Sequence, residues 1–423
     1  MGSRSAPVIR RVLPSEHVQR FGTVLTSQAL ASGGNLLAVL AAARAGTAGE
    51  FGSVALLLAF YAVAASLVRP FCAHVLQITV LDARSERQRQ QALGTLPLAF
   101  GLAAVLAIGF APIGSRFFVA GTQGLLLIAV LLVPLLVVHD TLRVWAISVN
   151  RPNLAVALDG AWLVALVVGL AALRATHHWT PAAIGVVWAT GGAAVAAVSW
   201  AATVVRGRRV GTIRSAAAEA RRFGPLFAAD SAMGAVVISG YPLVLTSVTS
   251  VEQIGRIRAL EIPFGVLATI GQGFGLFLQP ATRRLVRERR TDRAWQATVW
   301  GGSAMAAGAL ALGLACVVIP DDFLTDVFGP SFEVASPLLT AVVLKYAALG
   351  AVFVMATMVR SLGAERATLP HRLVLVLVAL AVSLPLAGVD LAVGYGAMYA
   401  VLAVGCMVVI GRIRSHDFSP ETV

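Results

Sequence analysis

Charge, cysteine and lysine are what this chain of 423 residues has least of. Charged residues make up 13 %, about half the share of an ordinary soluble domain. No stretch is polar enough to link soluble domains, so a multidomain soluble protein is excluded. The three cysteines, Cys72, Cys316 and Cys406, lie far apart inside apolar blocks with no C-x-x-C. That spacing supports neither a disulfide framework nor a zinc site, and they read as small buried apolar side chains. No GxxxxGK[ST] occurs, and Gly271-Gln272-Gly273-Phe274-Gly275 lacks the strand–turn–helix context of a dinucleotide fingerprint. His74 and the His177–His178 pair lack metal-ligand spacing, and Asp321-Asp322 with Asp326 reads as a solvated acidic turn. No catalytic set, metal or cofactor is expected.

Lysine occurs once, at Lys345, among 33 basic residues, so 32 are arginine. A net charge of +13 would suit nucleic acid if it lay on one face. It lies instead in short runs between apolar blocks, the placement by which multispanning proteins hold loops in the cytoplasm. No nucleic-acid partner is expected; membrane lipids are.

What is present is apolar: 58 % of residues, before 40 glycines are counted. Since a spanning helix needs about 20 mostly apolar residues, the chain divides into twelve predicted spans. They lie near 21–43, 52–80, 92–113, 122–147, 153–173, 182–205, 223–248, 252–280, 295–320, 336–360, 369–389 and 391–411. Pro70 and Pro263 fall inside the long second and eighth spans, which are expected to bend. Loop charge tests the count. Twenty-six basic residues fall on the side of the N-terminal tail, and three (Arg44, Arg116, Arg174) fall opposite. This alternation predicts both termini in the cytoplasm. The N-terminal segment is read as uncleaved.

The 206–222 segment is a basic linker between six spans in 1–205 and six in 223–423. Arg20-Phe21-Gly22 recurs as Arg222-Phe223-Gly224, and at the same offset of 202 Glu50 meets Glu252. One residue of slippage pairs Gly52 with Gly255. These matches suggest a duplicated six-helix unit, an arrangement that places a substrate path at the repeat interface.

After the ninth span the chain reads Phe323-Leu324-Thr325-Asp326-Val327-Phe328-Gly329-Pro330-Ser331-Phe332-Glu333-Val334-Ala335, then Leu338-Leu339 entering the next span. Glu50-Phe51-Gly52, His139-Asp140-Thr141-Leu142-Arg143 with Asn150-Arg151-Pro152, and Arg258-Ala259-Leu260 with Leu278-Gln279-Pro280 add to the pattern. It resembles the polysaccharide and O-antigen flippases of the multidrug/oligosaccharidyl-lipid/polysaccharide exporter superfamily, in their actinobacterial form. The resemblance implies two six-helix bundles around a central cavity that opens alternately to each side of the bacterial plasma membrane. The implied substrate is an undecaprenyl-diphosphate-linked sugar. It carries no catalytic signature; a monomer is expected, and H+ or Na+ coupling is left open. The alternative is a small-molecule or multidrug exporter with six plus six helices. Against the major-facilitator form of that alternative, the 2–3 loop lacks a glycine-framed basic motif. A membrane polymerase or ligase would need a longer outer loop than any here.

Charges at membrane depth are functional candidates by default. Lys345 lies roughly nine residues into the tenth span, about 13 Å at 1.5 Å per residue, and is the leading candidate for a cavity cation; a lysine paired to a buried carboxylate is the competing reading. Arg69 precedes Pro70 in the second span. Arg258 and Glu261 share a face at i, i+3, with Arg256 nearly opposite. Lys345, Arg69, Arg256 and Arg258 form the expected substrate-binding set, because a diphosphate entering a low-dielectric cavity needs counter-charge. Asp140, Arg143 and Asp159 are expected at one cytoplasmic mouth as a gate or an ion-paired strut. Asp230, with no charged neighbour at helical spacing, is a candidate coupling site.

Overall fold

A computed structural model describes residues 15–74, 92–115, 123–149, 151–205, 213–235, 237, 240–319, 321–328 and 337–415. The helices are α1 (Ser15–Ala45), α2 (Ala48–Arg69), α3 (Thr95–Gly114), α4 (Gly124–Ser148), α5 (Pro152–Ala175), α6 (Pro181–Val205), α7 (Ile213–Ala235) and α8 (Tyr241–Leu245). There follow α9 (Val251–Glu261), α10 (Gly265–Arg287), α11 (Thr291–Val318), α12 (Asp321–Phe328), α13 (Pro337–Leu362), α14 (Glu365–Val389) and α15 (Leu391–Ser415). Ten of these are long and apolar enough to cross a membrane. The chain is an all-α polytopic membrane protein, and the ten rods coincide with ten of the twelve predicted spans.

In the seventh span, residues 236, 238 and 239 between α7 and α8 lie outside the described residues. One span differs from expectation by being broken. The eighth divides at Ile262-Pro263-Phe264, between α9 and α10. Pro263 has no N–H to donate to Ala259 and crowds the preceding turn. The backbone tightens into i→i−3 bonds instead, Ile262 to Ala259 at 3.1 Å, Phe264 to Glu261 at 3.1 Å and Gly265 to Ile262 at 3.1 Å. Glu261 therefore ends a half-helix. In the second span the break is milder: a π-helical turn over Pro70–His74 follows Arg69. The acidic turn at Asp321 is also corrected, since it opens the eight-residue helix α12. Residues 206–212 of the linker lie outside the described residues, and the rest of it is already helical in α7.

Corresponding helices of the two sets pack on corresponding neighbours. α4 lies against α2, α3 and α6, and α13 against α10, α11 and α15. α6 packs on α5 as α15 packs on α14, and α1 meets α5 as α7 meets α14. Each half gathers its own core. One holds Leu57, Val133, Leu136, Trp162 and Trp188; the other holds Tyr241, Phe264, Val342, Tyr395 and Tyr399. Residues cross over where α2 meets α9: Leu56 joins the second core, and Ala259 and Ile262 join the first.

That crossing is formed by equivalent residues. Thr47 caps α2, accepting from Glu50 N at 3.3 Å, and Glu50 returns a carboxylate to Thr47 N at 2.9 Å. Ser250 caps α9 by accepting from Gln253 N at 3.3 Å. The true equivalent of Glu50 is thus Gln253, offset by 203, rather than Glu252. The same offset pairs Gly52 with Gly255, and the structure brings them face to face. A Cβ on Gly52 would sit 2.3 Å from the Val251 carbonyl oxygen, and one on Gly255 would sit 2.1 Å from that of Ala48. Without side chains at these two points, the halves touch backbone to backbone. In a bilayer, where lipid is as apolar as leucine, such close packing is what holds helices together.

Candidate functional site

Beneath the α2–α9 crossing lies a cavity of about 490 Å³ between the two halves. Its wall draws on both: Ser32, Asn35 and Leu36 of α1, Phe51 and Tyr61 of α2, and Trp188 of α6 face Arg258, Glu261 and Gly265 of the broken eighth rod and Tyr346 of α13. The aromatic side is fixed by hydrogen bonds. Trp188 Nε1 donates to Asn35 Oδ1 at 2.9 Å, and Trp162 Nε1 donates to the Trp188 carbonyl at 3.0 Å. Tyr61 stands edge-on to Trp188, with centroids 5.4 Å apart.

The charged side is built at the Pro263 break. Arg258 Nη1 donates to Glu261 Oε2 at 2.7 Å, the expected i, i+3 pair. The other carboxylate oxygen, Oε1, accepts from Lys345 Nζ and from the Tyr395 hydroxyl. Lys345 also donates to that hydroxyl at 3.1 Å. Three tyrosine rings surround the ammonium, with centroids at 5.5 Å (Tyr346), 5.8 Å (Tyr395) and 5.6 Å (Tyr399). Tyr399 is anchored on the Val237 carbonyl at 2.9 Å. Lys345, with 2 % of its surface exposed, does not line this cavity. It stands one layer behind, on the buried carboxylate. Among the described residues, the two cations Arg258 and Lys345 share the Glu261 carboxylate.

The other expected site residues separate. Arg256 is on the opposite face of α9, paired with Glu252 at 3.0 Å and partly exposed. Arg69 makes a two-pronged bond to Asp140, Nε to Oδ2 at 3.0 Å and Nη2 to Oδ1 at 3.1 Å. Arg143 lies 3.7 Å from Asp140 and 3.8 Å from Asp159, and donates to Gln28 at 3.3 Å. Asp159 also accepts from Ser27 of α1. The four charges of this second cluster balance, tying α1, α2, α4 and α5 together. The side chain of Asp230, on α7, lies outside the described residues.

Sequence reasoning missed the tyrosines and the aromatic wall. A signal was there: of the five tyrosines in the chain, Tyr346, Tyr395 and Tyr399 surround its only lysine, and Tyr241 packs on the last two. One of them is next to Lys345 in sequence. Tyr395 and Tyr399 share a helical face at i, i+4.

No protein-family model matches the sequence, and no curated protein matches it. Solved structures do match in fold. A multidrug resistance MATE family transporter of the MOP superfamily, in an inward-facing conformation, superposes with a TM-score of 0.69 at 14 % identity, over 92 % of this chain and 95 % of that one. The eukaryotic MATE transporter AtDTX14 gives 0.65 at 14 % identity, over 93 % and 95 %. A MOP superfamily transporter from Pyrococcus furiosus gives 0.63 at 15 % identity, over 94 % of each chain. That last structure is described as having a binding pocket of reverse polarity, suggestive of a different function. At these identities the likeness is one of fold.

Proposed function

We propose that this chain is a membrane transporter that moves an amphiphile with an anionic head, a lipid-linked diphosphate sugar, from one leaflet to the other by rocking its two halves about the cavity. The arginine-rich loops lie in the cytoplasm, and the α2–α9 crossing closes the outer end. One observation carries the reading: the cavity wall presents the Arg258 guanidinium, with a second cation, Lys345, on the same carboxylate one layer behind it. A diphosphate leaving water for a low-dielectric chamber costs several kcal/mol unless charge-assisted donors meet it. A guanidinium also offers a planar fork suited to phosphate oxygens. At about 490 Å³ the chamber is of ordinary ligand-pocket size, enough for a head but not for a polyprenyl tail. The Trp188, Tyr61 and Tyr346 rings offer flat apolar faces to a sugar.

A second reading, export of lipophilic drugs, draws on the aromatic wall and on fold neighbours described as multidrug transporters. It needs a carboxylate available to a cation. Glu261, the acidic residue on this wall among the described residues, is already held by Arg258, Lys345 and Tyr395. Coupling to H+ or Na+ is assigned to Asp230, with the Asp140–Arg143–Asp159 cluster as the strut that keeps the first half rigid.

Deletion of the gene tests the two readings together. Lipid-linked sugar is expected to accumulate on the cytoplasmic leaflet and to clear with the wild-type chain but not with Arg258→Ala. If deletion changes only the tolerance of lipophilic cations, the drug-export reading replaces this one.

A further inference from the structure

Two polar residues of α1, Ser32 and Asn35, line the chamber from the first half, three positions apart and so on one helical face. Each is held from behind by a hydrogen bond whose direction is fixed by a group that donates and never accepts. The Trp188 indole, 1 % exposed, donates from Nε1 to Asn35 Oδ1 at 2.9 Å. That bond holds the carbonyl end of the amide toward α6 and turns its NH2 end away. The second chain starts at Arg143 on α4, whose Nη2 donates to Gln28 Oε1 at 3.3 Å. Gln28 is left with its amide nitrogen to donate, and Nε2 meets Ser32 Oγ at 3.3 Å. Ser32 accepts there, so its own O–H proton remains to be donated. Among the described residues neither that proton nor Asn35 Nδ2 has a protein acceptor, and neither atom is sealed from the chamber.

We propose that the α1 face of the chamber is a donor subsite for the phosphoryl oxygens of the substrate head. Asn35 Nδ2 and Ser32 Oγ are the donating atoms; Trp188, Gln28 and Arg143 are positioning residues that set their polarity. Phosphoryl oxygens only accept, so they match a wall that offers donors. A lipophilic ammonium only donates, and of this pair only the second lone pair of Ser32 could receive it. Neutral donors suffice here because apolar surface surrounds them, Leu36 and Val39 on α1 and Leu58 on α2. A hydrogen bond to an ionised acceptor is roughly twice as strong as a neutral one. The chain running back to the Arg143 guanidinium polarises the Ser32 hydroxyl in the same sense. At i, i+3 the two Cβ atoms lie about 5–6 Å apart, close enough to meet one phosphoryl group or two adjacent ones. The inference deepens the reading of an anionic head and rests on it for the chemistry of the ligand. It adds a grip on the first half, so one ligand is held by both bodies that rock.

The test is calorimetric titration of the full chain, purified in detergent, with geranyl diphosphate as the anionic probe and geraniol as its neutral counterpart. Ser32→Ala and Asn35→Ala are each expected to weaken geranyl diphosphate by about tenfold or more, the loss that follows from removing one hydrogen bond to a charged group. Geraniol binding is expected to stay unchanged in both. Ser32→Thr keeps the hydroxyl and is expected to stay within about threefold of wild type. Trp188→Phe removes the donor that orients the Asn35 amide, and is expected to lower the preference for the diphosphate over geraniol although Asn35 is still there. If S32A and N35A bind geranyl diphosphate as the wild type does, the subsite is refuted and the anionic reading stands. Equal losses for both probes would make the pair a packing element, with the same consequence. An unchanged preference in W188F overturns the positioning role of Trp188. A wild-type chain that does not distinguish geranyl diphosphate from geraniol overturns the subsite and the anionic reading together. N35A leaves the Trp188 indole without its acceptor; if that variant does not fold, the contrast between Ser32→Ala and Ser32→Thr decides.

Discussion

The reciprocal glycines at the α2–α9 crossing predict how the proposed rocking of the two halves responds to a single methyl group. In Gly255→Ala the new Cβ would lie 2.1 Å from the Ala48 carbonyl oxygen, 3.0 Å from its carbon and 3.2 Å from Gly52 N. All three are backbone atoms of the facing helix, so no side chain can swing away and the helices must part. Overpacking of this kind costs roughly 1–3 kcal/mol. Alanine also improves the helix by about 1 kcal/mol over glycine. That gain is common to the closed and open arrangements and drops out of their difference. The penalty falls on the closed arrangement alone and shifts the balance about 5–150-fold toward separation of the outer ends. Gly52→Ala, 2.3 Å from the Val251 carbonyl oxygen, should act in the same direction. The assay uses Ser32→Cys, on the cavity wall, in a chain whose three buried native cysteines are replaced by alanine. Gly255→Ala should speed its reaction with a membrane-impermeant maleimide added outside. Unchanged labelling with a lowered Tm would show that the crossing is static packing, and the reasoning about a gate would fail.

Three further outcomes are expected. Asp140→Asn leaves Arg69 and Arg143 facing each other without their shared carboxylate and should cost about 3 kcal/mol. Arg69→Ala should cost about 1 kcal/mol or less, because that side chain is 38 % exposed and its charge screened; equal Tm losses for the two in detergent would contradict this. Thr47→Ala removes the cap of α2 and should cost about 1 kcal/mol, read as faster amide exchange in the first turn of α2; unchanged exchange there would reject the cap. A cysteine at Arg290, in the turn between α10 and α11, should react only with reagent admitted to the cytoplasm, and labelling from outside would invert the topology.

Much of the scaffold was legible because one physical quantity dominates it. Twenty-residue apolar runs and alternating arginine place the rods, and most helix ends fall within a few residues of the predicted spans. The break at Pro263 was foreseen only as a bend, since hydropathy averages across a three-residue turn. The Arg258–Glu261 pair could be read from helical spacing because both residues lie on one half-helix. Lys345 could not be placed, because its partner Glu261 is 84 residues away and their meeting depends on how α13 packs against α9 and α15. Depth in a span distinguishes a buried charge from an exposed one, but not the cavity wall from the layer behind it. The repeat was visible as Gly52 and Gly255, whereas Gly22 and Gly224 share sequence without sharing an environment: a Cβ on Gly224 would strike the Phe71 ring at 2.3 Å, and one on Gly22 would meet nothing within 4 Å.

The central claim is that the chamber between the halves carries an anionic head across the membrane. Its most direct test is transfer of a fluorescent polyprenyl-diphosphate sugar between leaflets of proteoliposomes, followed by quenching of the outer leaflet. The account predicts transfer well above protein-free vesicles, lost in Arg258→Ala and retained in Arg256→Ala. Transfer no faster than in empty vesicles, from protein that still accumulates a lipophilic cation, would contradict it.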